Sequence, residues 1–151
     1  TVLHRRGGNV MARVRTTVVR KDQTEQASRD YQGKLVQLVG KAGNLVRNTA
    51  VESISEGAKS GVTYELYNPR RTHKSSAAGE PPATDTGYLV NNIFLNVDPD
   101  GLGVSVESRA EYSGFLEFGT SKMAARPFMQ PALEENKPKI RKLEKEMVKF
   151  K

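Results

Sequence analysis

The sequence predicts an α+β fold, in which a long N-terminal helix and a C-terminal helix pack on a small antiparallel sheet and a long Pro/Gly-rich loop interrupts the chain. Two observations support this prediction. Apolar residues recur at threes and fours towards both ends of the chain, and short alternating segments with turn residues lie between them. The predicted order is helix, strand, loop, helix, hairpin, helix and helix, an α+β arrangement.

The first helix is predicted over residues 22–55, where one face carries Tyr31, Leu35, Leu38, Val39, Ala42, Leu45, Val46, Ala50 and Ile54. Gly33, Gly40 and Gly43 each cost such a helix about 1 kcal/mol relative to alanine, which indicates either a break or a close helix contact. A strand follows over residues 62–67 and stops at Asn68 and Pro69.

Residues 69–87 contain almost no large apolar group, so we expect one long loop that is either mobile or held only by partners. Thr86 is the predicted cap of a short helix over residues 87–93. Strands over 93–97 and 102–108 flank a Pro-Asp-Gly turn, which predicts a hairpin. A short helix over 112–118 precedes a last helix that begins at Pro131 and presents Leu133, Ile140, Leu143, Met147 and Phe150 as one stripe.

The amino-acid composition limits the classes of function that the chain can have. The 151 residues fit one domain, and 36% hydrophobic with 27% charged residues is typical of a soluble protein. The absence of cysteine excludes disulfides, thiolate metal sites and cysteine nucleophiles. No run of about 18 apolar residues and no secretory signal is present, which predicts a soluble protein without a membrane partner.

The net charge of +7 is concentrated at the two ends of the chain. We predict a basic N-terminal arm over residues 1–20 and a single domain over residues 21–151. Arg13, Arg15 and Arg20 are candidates for contact with DNA or with a neighbour, and a solvated tail is the alternative. Met11 opens a plausible natural start, so that residues 1–10 are expected to be an extension.

Catalytic patterns are weak, and we predict that the chain is not an enzyme and needs no cofactor. His73, Ser75, Ser76 and Asp85 are the ingredients of a nucleophilic triad, yet a polar loop offers no rigid scaffold for them. Two histidines in all provide no usual metal pair. The segments 57–61 and 119–122 lack the spacing of a phosphate loop and are better explained as turns.

Two segments taken together indicate a family. Residues 79–83 read GEPPA and are followed by Thr86-Gly-Tyr-Leu89, and residues 112–133 contain YSGFLEFGT, ARPF and PAL. This ordered pair resembles the tail-component or tail-completion family of long-tailed bacteriophages, which carries GxPP…TGxL and YxxxLEFGT…ARPF…PAL. Ala78 departs from the family, in which proline is frequent at that position.

The resemblance implies a structural protein of the virion neck, assembled in the bacterial cytoplasm. It implies a homo-oligomeric ring, with a hexamer favoured, that completes the tail and joins it to the DNA-filled head. The implied partners are head-closure or stopper, tail-terminator and tail-tube proteins, with genome DNA passing through the channel. A small basic DNA-binding module is the alternative, because the sequence pI is about 9.7.

The two segments also supply the candidate subunit or partner interface. Phe115, Leu116 and Phe118 are predicted to anchor a helix in the core, and Gly119 to adopt a positive φ. Arg126 is expected to meet a carboxylate, either Glu117 of its own chain or one on the next subunit. The candidate interface residues are Gly79, Glu80, Pro81, Pro82, Thr86, Gly87, Leu89, Glu117, Phe118, Gly119, Thr120, Arg126, Pro127 and Phe128.

Overall fold

A computed structural model of the chain describes residues 2–6, 9–15, 25–57 and 59–148. It confirms the predicted α+β fold, because the long N-terminal helix and the C-terminal helix pack on each other and on antiparallel strands. In chain order the elements are β1 Val2–Arg6, β2 Asn9–Arg15, α1 Glu25–Ser55, β3 Thr63–Tyr67, β4 Arg70–Lys74, α2 Tyr88–Asn91, β5 Ile93–Val97, β6 Gly103–Ser108, α3 Ser113–Phe118 and α4 Met129–Val148.

The strands form one four-stranded antiparallel sheet, in the order β1-β2-β6-β5, and a separate hairpin of β3 and β4. The predicted hairpin of β5 and β6 is confirmed, with Val97 opposite Val104. Strands β1 and β2 lie within the predicted basic arm and were not expected from the sequence, although β2 pairs along its length with β6. The signal for β2 is the alternation of Val10, Ala12 and Val14, which the arginines between and after them obscure.

The core lies between α1, the sheet and α4. Helix α1 buries the predicted face from Leu35 to Ile54, with Leu45 half-buried, and β6 contributes Val104 and Val106. Tyr31, which was predicted on the same face, is 41% exposed. On α4 the predicted stripe is confirmed for Leu133 and Ile140, which are buried, while Phe150 lies outside the described residues. The buried core residues are Leu38, Val39, Ala42, Val46, Ala50, Ile54, Leu89, Ile93, Val104, Val106, Ala110, Phe128, Met129, Ala132, Leu133 and Ile140.

Residues 69–87 do not form a single loop, so this prediction was wrong. Strand β4 pairs antiparallel with β3, with Tyr67 opposite Arg70 and Thr63 opposite Lys74. Its sequence, RRTHK, contains no large apolar side chain, so hydrophobic patterning does not reveal it. The connection that remains, residues 75–87, is short enough to be held against the body of the domain.

Two helix starts differ from those predicted. The N-cap of α2 is Gly87 and not Thr86, although the Thr86 hydroxyl accepts a bond from the Tyr88 N–H at 3.4 Å. Helix α4 begins at Met129 and not at Pro131. Pro131 is then the third residue of the helix, where a missing N–H costs nothing because the first-turn N–H groups have no partner within the helix.

The glycines of α1 do not break the helix, which is continuous from Glu25 to Ser55. Gly43 marks a close contact instead. A Cβ placed there would lie 2.6 Å from Val104 Cγ2 and 2.8 Å from Leu95 Cδ1, so α1 approaches the sheet at this point. At Gly40 a Cβ would meet no atom within 4 Å.

These two glycines therefore predict opposite effects of the same substitution. Gly43→Ala is expected to lower the free energy of unfolding by about 1–2 kcal/mol, because overpacking against Val104 and Leu95 exceeds the gain in helix propensity. Gly40→Ala is the matched control and is expected to raise it by up to about 1 kcal/mol. Urea denaturation followed by circular dichroism measures both, and a stabilising Gly43→Ala would contradict the close contact.

Candidate functional site

The two segments that carry the resemblance lie against each other in the fold. The Gly79 N–H of the first segment donates to the Ala125 carbonyl of the second at 2.9 Å, and within the second segment the Arg126 N–H donates to the Leu116 carbonyl at 2.6 Å. A cavity of about 180 Å³ opens between them. We call it the Arg126 cavity; its lining consists of residues 82–89 together with His73, Ser75, Ser76, Tyr112, Leu116 and Arg126.

The connection over residues 75–87 is held by its own chain. The Glu80 carboxylate accepts bonds from the Ser60 hydroxyl, from the Ser60 N–H at 2.9 Å and from the Ala77 N–H at 2.8 Å. Lys59 Nζ donates to the Pro81 carbonyl at 3.1 Å and to the Ser53 carbonyl at 3.0 Å, which ties the connection to the end of α1. The prediction that this segment is mobile or held only by partners was therefore wrong.

We call these hydrogen bonds of Glu80 and Lys59 the Glu80 anchor. The bonds to the Glu80 carboxylate favour its charged form and so lower its pKa. The bond from the Ser60 hydroxyl, followed by those from the two amides, lowers the pKa of Glu80 from 4.5 to about 2. Partial burial lowers the pKa of Lys59, and the nearby Glu80 carboxylate partly offsets that effect. Glu80 is therefore charged at neutral pH, the form in which it accepts these hydrogen bonds.

Glu117 is buried and forms the N-terminal cap of α4. Its carboxylate accepts bonds from the N–H groups of Phe128 at 2.9 Å, Met129 at 3.0 Å and Gln130 at 2.8 Å. Only 4% of Glu117 is exposed. A buried carboxylate is stable in this place because the start of a helix presents unpaired N–H groups and a partial positive charge.

The outward side of α3 is aromatic. Tyr112, Phe115 and Phe118, spaced by threes, are 41%, 50% and 43% exposed, and we call them the α3 aromatic face. The prediction that Phe115 and Phe118 anchor the helix in the core was wrong. The residues that α3 buries are Ser113, Gly114 and Glu117.

Tyr88 of α2 extends this aromatic surface. Its ring centroid lies 6.2 Å from that of Tyr112, and Tyr88 is 50% exposed. Partial burial raises the pKa of Tyr112 above its ordinary value, and Tyr88 adds to that shift. Tyr88 and Tyr112 line the Arg126 cavity, and with Phe115 and Phe118 they give the candidate site four exposed aromatic side chains.

The predicted intrachain pair of Arg126 with Glu117 is not found among the described residues, and the Glu117 carboxylate accepts three amide N–H groups instead. Arg126 Nε is buried and has no hydrogen-bond partner among the described residues. The same holds for the hydroxyl of Ser76, which is 2% exposed. Both residues line the Arg126 cavity, which thus contains two polar groups without partners in the described chain.

The triad ingredients also meet at this cavity, but not in catalytic geometry. His73 lies on β4 and not on a loop, and its Nδ1 is 3.9 Å from Asp85 Oδ1, beyond hydrogen-bond distance. Asp85 instead pairs with Arg71 at 2.8 Å. The Ser75 hydroxyl donates to the Val62 carbonyl at 3.1 Å and the Ser76 hydroxyl is unpartnered, so neither serine is joined to the histidine.

The remaining candidate interface residues lie in the core, in the cavity lining and in the segment that leads from α3 to α4. Leu89 and Phe128 are buried in the core and act inside the subunit, and Pro82 is buried in the cavity lining. Gly119 has the predicted positive φ, at 72°, and a Cβ there would lie 2.8 Å from the Met123 carbonyl oxygen. Thr120 stabilises the turn that follows, since its hydroxyl accepts the N–H groups of Lys122 and Met123. Pro127 is half-buried.

Two of the three candidate basic contacts lie in the described part of the sheet. Arg13 lies in β2, and Arg15 ends that strand with its guanidinium 3.9 Å from the Asp100 carboxylate. Arg20 lies outside the described residues. Arg15 is exposed, so it is the member of this set whose described position is open to a partner.

Two classes of site find no support in the described ranges. Among those residues, no cluster of three or more His, Cys, Asp or Glu side chains is placed to hold a metal ion. Within the same part of the chain, no helix combines the length and the apolar character needed to span a bilayer.

Comparison of the chain with protein-family models, with curated proteins and with solved structures finds no match. Sequence reasoning missed Tyr88, Tyr112 and Phe115 as surface residues because aromatic side chains at helical spacing are most often buried. Local patterning carried no signal for this arrangement, because Ser113, Gly114 and Glu117 are small or polar residues of the kind usually found on the outward side of a helix.

The Glu117 cap predicts a large effect of a small substitution. Glu117→Gln is expected to lower the free energy of unfolding by about 2–3 kcal/mol, because the charge is lost and one oxygen becomes an NH₂ group that opposes an amide donor. The control Glu111→Gln, at an exposed position, is expected to stay within about 0.5 kcal/mol of the parent. Urea denaturation measures both, and equal effects of the two substitutions would contradict the cap.

The Glu80 anchor predicts a pH dependence. Because its pKa is lowered from 4.5 to about 2 in the folded chain, Glu80 stabilises the fold above pH 4.5, and this contribution is lost as the pH falls towards 2. Glu80→Gln should flatten the dependence of the unfolding midpoint on pH in this window, and Ser60→Ala should flatten it partly. Carboxyl titration by NMR checks the origin, and a Glu80 midpoint near 4.5 would refute it.

Proposed function

We propose that the chain is a structural protein of a bacteriophage neck, which assembles as a ring, completes the tail and joins it to the DNA-filled head. The observation that carries this proposal is the α3 aromatic face. It lies in the segment that resembles the tail-completion family, and an exposed row of large apolar side chains beside a polar cavity is typical of a protein interface.

A ring requires two different surfaces on each subunit that fit each other and close by rotation. The α3 aromatic face is one such surface. The β3–β4 hairpin supplies a second, because Tyr64 and Tyr67 are 52% and 78% exposed and neither strand packs extensively on any other described helix or strand. An isolated two-stranded hairpin gains stability when it packs on a neighbour, which suits a contact between subunits.

The proposed ring has proteins on both sides and DNA in the middle. The expected protein partners are head-closure and tail-tube components, which would contact the faces of the ring. The basic residues at the start of the chain, including Arg15, are suited to a channel through which DNA passes, because phosphate contacts are independent of sequence.

A small DNA-binding module is the second candidate. The net charge of +7 favours it, since each cation that neutralises a phosphate releases a bound counterion. This candidate gives no role to the α3 aromatic face, whereas the ring uses both the aromatic surface and the charge. The two candidates differ in the oligomeric state that they require.

The oligomeric state of the purified chain is therefore the measurement that decides between the two candidates. The purified chain, examined by light scattering after size separation and by electron microscopy, is expected to form closed rings at high concentration. The double variant Phe115→Ser and Phe118→Ser should shift the assembly towards monomers by at least about tenfold in concentration, because apolar area at the interface is lost. The control is Tyr31→Ser on α1, where the tyrosine is 41% exposed but lies outside the candidate site.

Two results would overturn the proposal. A strictly monomeric chain that binds duplex DNA tightly, with a steep dependence on salt, would establish the second candidate instead. Immunogold labelling of virus particles that places the chain away from the head–tail junction would also refute the proposed position in the neck.

A further inference from the structure

The Arg126 cavity contains donors without acceptors. Arg126 Nε and the Ser76 hydroxyl are both buried and both lack a hydrogen-bond partner in the described part of the chain. Buried polar groups in folded proteins are nearly always paired, because leaving one unpaired forfeits its hydration without replacement. That two such groups line one cavity indicates that the partner they require enters from outside.

The charged side chains around the cavity indicate that this partner is an anion. Asp85 is the one acidic side chain among the described residues that line it, and Arg71 neutralises Asp85 at 2.8 Å. Glu117, the predicted intrachain partner of Arg126, is bonded instead to three amides at the start of α4. The Arg126 guanidinium therefore has no anion within the described chain, and a negatively charged group fits beside it.

The geometry of the arginine side chain and the apolar walls of the cavity favour a carboxylate as this anion. An arginine fork matches the two oxygens of a carboxylate, and the Ser76 hydroxyl is available as a further donor. Leu89, Leu116 and Pro82 supply apolar walls in a space of about 180 Å³, which suits a short aliphatic stem. A doubly charged phosphate is less favourable, because it carries one more negative charge than the single unpaired guanidinium neutralises.

We propose that the Arg126 cavity binds a carboxylate group carried on a short aliphatic stem. The carboxylate comes either from a small free acid or from an Asp or Glu side chain of a second copy of this chain. In both cases the guanidinium of Arg126 holds the carboxylate oxygens, the Ser76 hydroxyl donates to one of them, and the apolar walls enclose the stem. The site does not depend on the proposed ring, since a monomer contains all of it.

The test follows the Arg126 Nε–H and Ser76 N–H signals by NMR in the full-length chain. Sodium butyrate, titrated against sodium chloride at equal ionic strength, is expected to shift both signals saturably, and inorganic phosphate less. Arg126→Gln should weaken butyrate binding at least about tenfold and Arg126→Lys less, because lysine keeps the charge but loses the fork. The control Arg109→Gln removes a positive charge outside the cavity and should leave binding unchanged.

A dilution series without butyrate separates the two sources. If a second copy supplies the carboxylate, the same two signals shift with protein concentration and butyrate competes; if a free acid does, they do not change on dilution. The proposal fails if neither butyrate nor protein concentration shifts them, if phosphate binds more tightly than butyrate, or if Arg126→Gln binds butyrate like the parent. Ser76→Ala, which retains Arg126, should bind butyrate more weakly and checks the result should the arginine variants unfold.

Discussion

The bonds from three backbone amides to Glu117 determine how the C-terminal part of the molecule is arranged. A carboxylate that is 4% exposed requires compensation, and the first turn of α4 provides it through amide hydrogen bonds and the positive end of the helix. This contact joins α3 to α4 across the turn at Gly119. Because Pro131 has no N–H, the cap and the proline together account for the unpaired amides at the start of the helix.

Two consequences follow for the candidate site. With Glu117 directed inwards, the inward side of α3 also carries Ser113 and Gly114, and the aromatic residues of this helix are left on the outside. The Glu117 carboxylate is bonded to the three amides and forms no ion pair with Arg126 among the described residues. The same cap therefore produces both the exposed aromatic face and the cationic cavity beside it, so that a surface for contact and a site for an anion arise from one local constraint.

The sequence predicted those elements whose signal is hydrophobic periodicity or turn chemistry. The apolar spacing of α1 and the Pro-Asp-Gly turn before β6 are local and strong, and both appear in the structure. Strand β4 has no such signal, because its residues are polar and its pairing with β3 comes through the backbone. The role of Glu117 also could not be predicted from local sequence patterns. Its carboxylate bonds to amides more than ten residues away, and the positions of those amides depend on the tertiary fold.

The Glu80 anchor changes how an interface at this site would form. Residues 75–87 are bonded to the end of α1 through Lys59 and Ser60, and to the segment before α4 through Gly79. A segment that is already held does not have to be ordered when a partner arrives, so less conformational entropy is lost on association. The proposed contacts therefore resemble the docking of preformed surfaces, and the affinity of a neighbour depends on the aromatic face and the Arg126 cavity, not on folding of the loop.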